Sequence, residues 1–118
     1  MFARKVAARL KPNTLPQFVA VMETKILPWL RRQEGFLDLI VLSMHGSDEV
    51  AIISFWDHKS HAEAWAAANF ADAVEALDKL LDGAPYVKTF DVVSSTLHEL
   101  EGIVKTEAQT LTRPETIQ

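Results

Sequence analysis

Between Gly35 and Trp56 the chain reads Gly-Phe-Leu-Asp-Leu-Ile-Val-Leu-Ser-Met-His-Gly-Ser-Asp-Glu-Val-Ala-Ile-Ile-Ser-Phe-Trp. Successive side chains of a strand point to opposite faces of a sheet. One face of the first run carries Leu37, Leu39 and Val41, and the other carries Phe36, Ile40, Leu42 and Met44. The second run sets Val50, Ile52 and Trp56 against Ala51, Ile53 and Phe55. Neither strand offers a face to solvent, so the sheet they form needs a cover on both sides. A chain of 118 residues with two helical stretches can cover one side. The other cover is expected to be a second copy of the same chain.

The remaining periodicities supply the other elements. Phe2 to Leu10 alternates, with Phe2, Val6, Ala8 and Leu10 on one face and Arg4 among them. Lys11-Pro12-Asn13 stops this strand, and Asn13 or Thr14 can cap the helix that follows. Over Leu15 to Gln33, Phe18, Val21, Met22, Ile26, Trp29 and Leu30 recur at spacings of three and four, which predicts a helix with one apolar stripe. Pro28 has no N–H for the carbonyl of Thr24, which predicts a kink or a tightened last turn. Strands are expected over Phe36 to His45 and Val50 to Asp57, joined at Gly46-Ser47-Asp48. Ser60-His-Ala-Glu63 matches a capping box opening a second helix that runs to about Leu81, with Phe70, Val74, Leu77 and Leu81 as its stripe. Asp82-Gly83-Ala84-Pro85 ends it, and a fourth strand runs from Tyr86 to about Thr96.

The order βαββαβ is that of a ferredoxin-like split-βαβ domain of the α+β class, a four-stranded antiparallel sheet with two helices on one face. The domain is expected over residues 1–98. Residues 99–118 read as a polar tail, mobile or packed on a partner subunit. The uncovered sheet face predicts a homodimer, sheet on sheet across about 10 Å.

Composition excludes several classes of partner. The formal net charge of −4 argues against nucleic acid and against an anionic membrane surface, both of which need a basic face. No run of about 18 apolar residues is present, so no spanning helix is expected. Without cysteine there is no disulfide, thiolate nucleophile or thiolate metal site, which fits a cytoplasmic location. The expected partners are a second copy of the chain and a small hydrophobic or aromatic molecule.

The order of elements and three segments resemble the antibiotic-biosynthesis-monooxygenase-like family of dimeric α/β barrels. The segments are Leu30-Arg-Arg-Gln-Glu-Gly-Phe36, Val50-Ala-Ile-Ile-Ser-Phe-Trp-Asp57 and Ser60-His-Ala-Glu-Ala-Trp65. The resemblance implies one of three things: a cofactor-independent oxygenase acting on quinols or polyphenols, a haem-degrading enzyme, or a member with no known activity. In both enzymatic branches a Trp early in the second helix is functional, and Trp65 occupies that place. The haem-degrading branch also has an Asn before an Arg-Leu pair and a His about ten residues past the Trp. Here Ala8 precedes Arg9-Leu10 and Glu75 stands at the second place, so haem degradation is not expected. The polyphenol branch has an Asn before the Trp and an aromatic hydroxyl after it. Here Asn69 follows Trp65, and Phe70 carries no hydroxyl.

Trp65 is the leading candidate for a substrate-binding wall. It lies on the margin of the expected stripe, where an indole can stack on a flat molecule or seal the core. Trp56 and Trp29 read first as packing residues. Arg4 shares a face with Phe2 and Val6, and if that face is buried it needs a partner or a ligand anion. Asn69 is the polar neighbour on the second helix. The pool of candidate bases is His45, His61 and Tyr86. Asp57-His58-Lys59-Ser60-His61 places two imidazoles beside a carboxylate, a set zinc or iron could use. The segment is a strand-to-helix loop with no further ligand cluster, so a solvated turn is expected and no metal or cofactor is assigned. The expected activity is a cofactor-independent monooxygenase on a small aromatic substrate, or alternatively a non-catalytic, stress-associated binding dimer.

Overall fold

The computed structural model describes residues 1–96, so the expected tail and the boundary at residue 98 lie outside the described residues. β1 (Phe2–Arg9), β2 (Phe36–Ser43), β3 (Glu49–Trp56) and β4 (Tyr86–Asp91) form one sheet in the order β2-β3-β1-β4. All three pairings are antiparallel. This is the ferredoxin-like α+β arrangement, with the first and third strands central and both helices on one face. β4 ends at Asp91, short of the expected Thr96.

The first helix is continuous but not uniform. It consists of α1 (Leu15–Val21), a π-helical segment (Met22–Ile26) and α2 (Leu27–Arg31). Phe18, Met22, Ile26 and Leu30, each four residues apart, are its buried line. Of the two outcomes expected at Pro28 the kink is replaced by a widened turn just upstream, while the last turn does tighten, with the Arg32 and Gln33 N–H groups bonding the Trp29 and Leu30 carbonyls three residues back. The Leu27 N–H bonds the Met22 carbonyl five residues back, which re-spaces the carbonyls beneath the proline ring. Thr14 stands at the N-cap, but its hydroxyl donates to the Lys11 carbonyl at 2.7 Å rather than capping the helix, and Asn13 takes a left-handed conformation with φ 62°.

β2 departs from simple alternation. Phe36 pairs with Trp56 and Asp38 with Phe55, leaving Leu37 as a bulge. The bulge turns Phe36 onto the helix-facing side with Leu39 and Val41, whereas strict alternation placed it with Ile40 and Leu42.

α3 (Lys59–Leu77) continues into a 3₁₀ turn (Asp78–Leu80). The expected capping box does not form: the helix begins at Lys59 behind His58, with no side-chain cap, so Ser60 lies within the first turn. Its buried line is also different from the stripe read in the sequence. Ala62, Trp65, Ala73 and Leu77 are buried, while Phe70 and Val74 sit at the half-buried edge. Alanines at 62, 64, 66, 67, 68, 71, 73 and 76 spread weak apolarity round the whole helix and blur its period. The end of α3 is tied to the end of β1 by a bridge between Leu10 and Leu81. Among the described residues no helix is long and apolar enough to cross a membrane.

Leu77 is 6% exposed and belongs to the core shared by α3 and the sheet. Leu77→Ala is expected to lower unfolding stability by about 2–5 kcal/mol in chemical denaturation, because the cavity left behind collapses only in part.

Candidate functional site

His61, Trp65 and Asn69 follow one another at four-residue intervals and so stack along one face of α3. Trp65 lies over the end of β3, where the strand carries Ser54 and Trp56 on its helix-facing side. The three tryptophans meet there. Trp29 from α2 packs edge-on against Trp65 with ring centroids 5.1 Å apart. Trp65 lies 6.5 Å from Trp56 at a shallow tilt, and Phe36 meets Trp56 edge-on at 5.6 Å. Trp56 is fully buried and Trp65 is 6% exposed, while Trp29 is half-buried. Trp65 therefore stands at the centre of the helix face, not on its margin, and Trp29 is the member of the cluster that reaches solvent.

The Trp56 Nε1–H donates to Ser54 Oγ at 2.9 Å, and Ser54 Oγ–H donates to the Arg4 carbonyl at 3.4 Å. These bonds satisfy the buried indole and link the aromatic cluster to β1. The Arg4 side chain stands beside Ser54 on the helix-facing side, and its guanidinium lies 4.6 Å over the Phe70 ring. Burial holds its pKa below the ordinary arginine value.

His61 occupies the outer end of the α3 row. Its Nδ1 is 2.7 Å from Asp57 Oδ1, and its Nε2 is 3.5 Å from Glu34 Oε2. With a carboxylate facing each ring nitrogen, both N–H groups donate when the imidazole is charged; in the neutral form with the proton on Nδ1, Nε2 is the accepting nitrogen. The hydrogen bond to Asp57 raises the His61 pKa. Burial opposes that, and the charges of Asp57 and Glu34 add to it. Burial alone would push the Asp57 carboxyl up. The hydrogen bonds from His61 and the His58 backbone, with the charges of both imidazoles, outweigh it and leave the pKa lowered. Gly35 makes the contact possible. Its φ is +83°, and a Cβ there would overlap His61 Nδ1 and Asp57 Oδ1. The Gly35 carbonyl also accepts the Asp57 N–H at 2.9 Å, which pins the α2–β2 loop to the start of α3.

The other candidate bases are elsewhere. His45 is exposed in the β2–β3 turn, at the opposite end of β3 from His61. Tyr86 is 63% exposed on the sheet face away from the helices, with Lys88 Nζ 5.6 Å from its ring. The structure thus links Trp65, Trp56 and, through Ser54, Arg4 in the helix–sheet layer, sets His61 one turn before Trp65 and Asn69 one turn after it on α3, and leaves His45 and Tyr86 elsewhere. The Asp57-His58-Lys59-Ser60-His61 segment folds as a His–Asp pair, with the His58 and His61 rings 5.8 Å apart. Among the described residues no group of three His, Asp or Glu has metal-holding geometry. Sequence reasoning missed Glu34, Ser54 and Phe70. The spacing of Asp57 and His61 at i, i+4 was the available signal for the pair, whereas the Glu34 contact depends on a loop distant in sequence.

A family model described as antibiotic biosynthesis monooxygenase matches residues 1–76. No curated protein matches the chain. Among solved structures, a monooxygenase of Streptomyces coelicolor in complex with nanaomycin D is 22% identical; the match covers 81% of this chain and 90% of that one, with a TM-score of 0.70. A protein of unknown function from Nitrosomonas europaea is 18% identical, covering 81% and 92% with a TM-score of 0.68. A Mycobacterium tuberculosis protein is 11% identical, covering 80% and 97% with a TM-score of 0.64.

The His61–Asp57 pair makes stability depend on pH in a defined direction. The folded chain holds the His61 proton more tightly than the unfolded chain. That contribution is complete below about pH 6.5 and is lost as pH rises through the higher folded value. The Asp57 contribution is present above about pH 3.9 and is lost as pH falls through its lowered folded value. In NMR titration His61 is expected to titrate above about 6.5, and Asp57→Asn to bring it down towards that value while flattening the fall in melting temperature on the alkaline side.

Proposed function

The chain belongs to the antibiotic biosynthesis monooxygenase family, and from that premise we propose that it oxidises a small, flat, electron-rich aromatic molecule of the quinol or polyphenol class in the space between α3 and the sheet. The observation that carries this reading is His61, held by Asp57 through Nδ1 one helical turn from the Trp29–Trp65 pair, with Nε2 beside the exposed Glu34 carboxylate and able to accept a proton when the imidazole is neutral. His61 Nε2 takes the phenolic proton. The phenolate so formed reduces dioxygen directly: one oxygen atom joins the ring carbon, the other leaves as water with two protons from the substrate, and a quinone results. The substrate supplies all four electrons. The half-exposed Trp29 offers an indole face on which a flat ring can stack, and Trp65 backs it from the water-poor side.

The mutual packing of Trp56 and Trp65 favours a second reading, a barrel protein that binds an aromatic molecule without turnover. Oxygen uptake separates the two. With a panel of quinols and polyphenols, the wild-type protein is expected to consume dioxygen. His61→Ala is expected to lower kcat by about 10²–10⁴ at alkaline pH, where the His61–Asp57 pair no longer adds to stability and the melting temperature changes little, and Trp65→Phe to raise KM. Ligand-dependent tryptophan quenching with no oxygen uptake from any member of the panel would support binding alone.

We further propose that the working unit is a homodimer joined through the free sheet face. Leu42, Met44, Tyr86 and Phe90 are 49%, 57%, 63% and 48% exposed there. A hollow of about 320 Å³, floored by Ala7 and Ala51 and rimmed by Lys5, Leu42 and Met44, can receive protruding side chains of a second copy. An apolar surface of this kind is rarely left bare on a monomer. Sedimentation is expected to give twice the 13.2 kDa chain mass at micromolar concentration, and Leu42→Glu with Tyr86→Glu to yield monomers.

A further inference from the structure

Arg4 is the one charged residue on the helix-facing side of the two central strands. Its companions there are Phe2, Val6 and Ala8 on β1 and Val50, Ile52, Ser54 and Trp56 on β3. Its Nε is buried and has no hydrogen-bond partner, and among the described residues no carboxylate pairs with its guanidinium. The Phe70 ring attracts the cation through its face. That contact satisfies none of the N–H donors, which lie in the guanidinium plane and require acceptors there. A buried donor left unmade is costly, so such an arrangement calls for an acceptor from outside the chain.

The surroundings define the shape and charge of that acceptor. α3 packs over β1 and β3. On the helix-facing side of β4, Val87 is half-buried, while Thr89 and Asp91 are exposed. Among the described residues nothing covers a strip between α3 and β4. Thr89 lies directly across from Arg4 in the β1–β4 register and on the same face. The Ser54 hydroxyl on the other side is already engaged by Trp56. Thr89 marks the side from which a ligand can approach the terminal nitrogens of the guanidinium, with the Phe70 ring on its face.

We propose that Arg4 and Thr89 bind the anionic oxygen, carboxylate or phenolate, of an aromatic ligand whose ring lies along this strip. Arginine suits the role because two of its N–H groups can hold one oxyanion in a fixed plane. Asp91, two residues beyond Thr89 on the same side, repels a second negative charge, so the ligand carries one anionic group and a neutral far end. This names the charge state of the substrate class in the proposed oxidation, and it rests on that reading only in placing an aromatic molecule in the helix–sheet space.

The test uses 2-naphthoate and its neutral isostere 2-naphthamide, which turn over in neither case, in titration calorimetry on the full chain. The wild-type protein is expected to bind the anion at least about tenfold more tightly than the amide, as a charge-assisted hydrogen bond implies. Arg4→Met is expected to abolish the preference and Arg4→Lys to keep part of it. If Arg4→Met does not fold, Thr89→Glu tests the same point by placing a carboxylate against the guanidinium, and it is expected to remove anion preference with the arginine in place. Equal affinity for the two probes, no binding of either, or an anion preference that survives Arg4→Met or Thr89→Glu overturns the proposal. Anion preference without oxygen uptake from any quinol leaves this inference standing and removes the oxidation. Oxygen uptake without anion preference does the reverse.

Discussion

The burial of Trp56 organises this half of the molecule. It is the last residue of β3, it is fully enclosed, and three other groups are placed by it. Phe36 and Trp65 pack on its ring, and Ser54 accepts its N–H. An indole can be buried at this depth only if that N–H is satisfied. Ser54 two residues earlier points to the same face of the strand and meets the need. The bulge at Leu37 follows from the same constraint, because it is what turns Phe36 onto the face where Trp56 lies. Trp56 thus aligns the start of β2, the end of β3 and the middle of α3 around one point.

Against this packed centre the charged groups are placed at the edges. His61 sits at the outer end of the α3 row and is held from two chain segments, Asp57 at the end of β3 and Glu34 in the α2–β2 loop. Arg4 sits deeper, where its stem lies among apolar neighbours and its guanidinium faces Phe70. The imidazole thus stands at the rim of the layer and the guanidinium within it.

Much of the fold was legible in the sequence because its signals are local. The alternation of Phe2 to Leu10, the two-faced apolar runs of β2 and β3, and the four-residue line Phe18–Met22–Ile26–Leu30 each register in a short window. The misreadings have specific causes. Alanines on every side of α3 hide its buried face, so periodicity alone puts Phe70 and Val74 at its centre and Trp65 at its edge. A serine with a glutamate three residues on suggested a cap, but the helix starts two residues earlier, at Lys59 behind His58, and Ser60 falls within its first turn. The proline at 28 announced a break, and the chain answered with a π turn upstream, a choice between two local geometries that the packing of Ile26 and Leu30 settles.

By itself the sequence determined the element order, the antiparallel ferredoxin-like sheet, the helix-covered face and the candidacy of Trp65, His61 and Arg4. All of these rest on residue type and spacing within one segment. Tertiary structure decided which candidates share a site. It brought Trp29, from a helix that precedes the sheet hairpin, against Trp65. It brought Glu34 and Gly35 against His61, and it left His45 at the far end of β3. It also left Arg4 with an aromatic ring and, among the described residues, no paired carboxylate. The physical reason is that these are contacts between segments far apart in the chain. They are set by strand order, by a one-residue bulge and by the volume of three indoles, and no local window contains them.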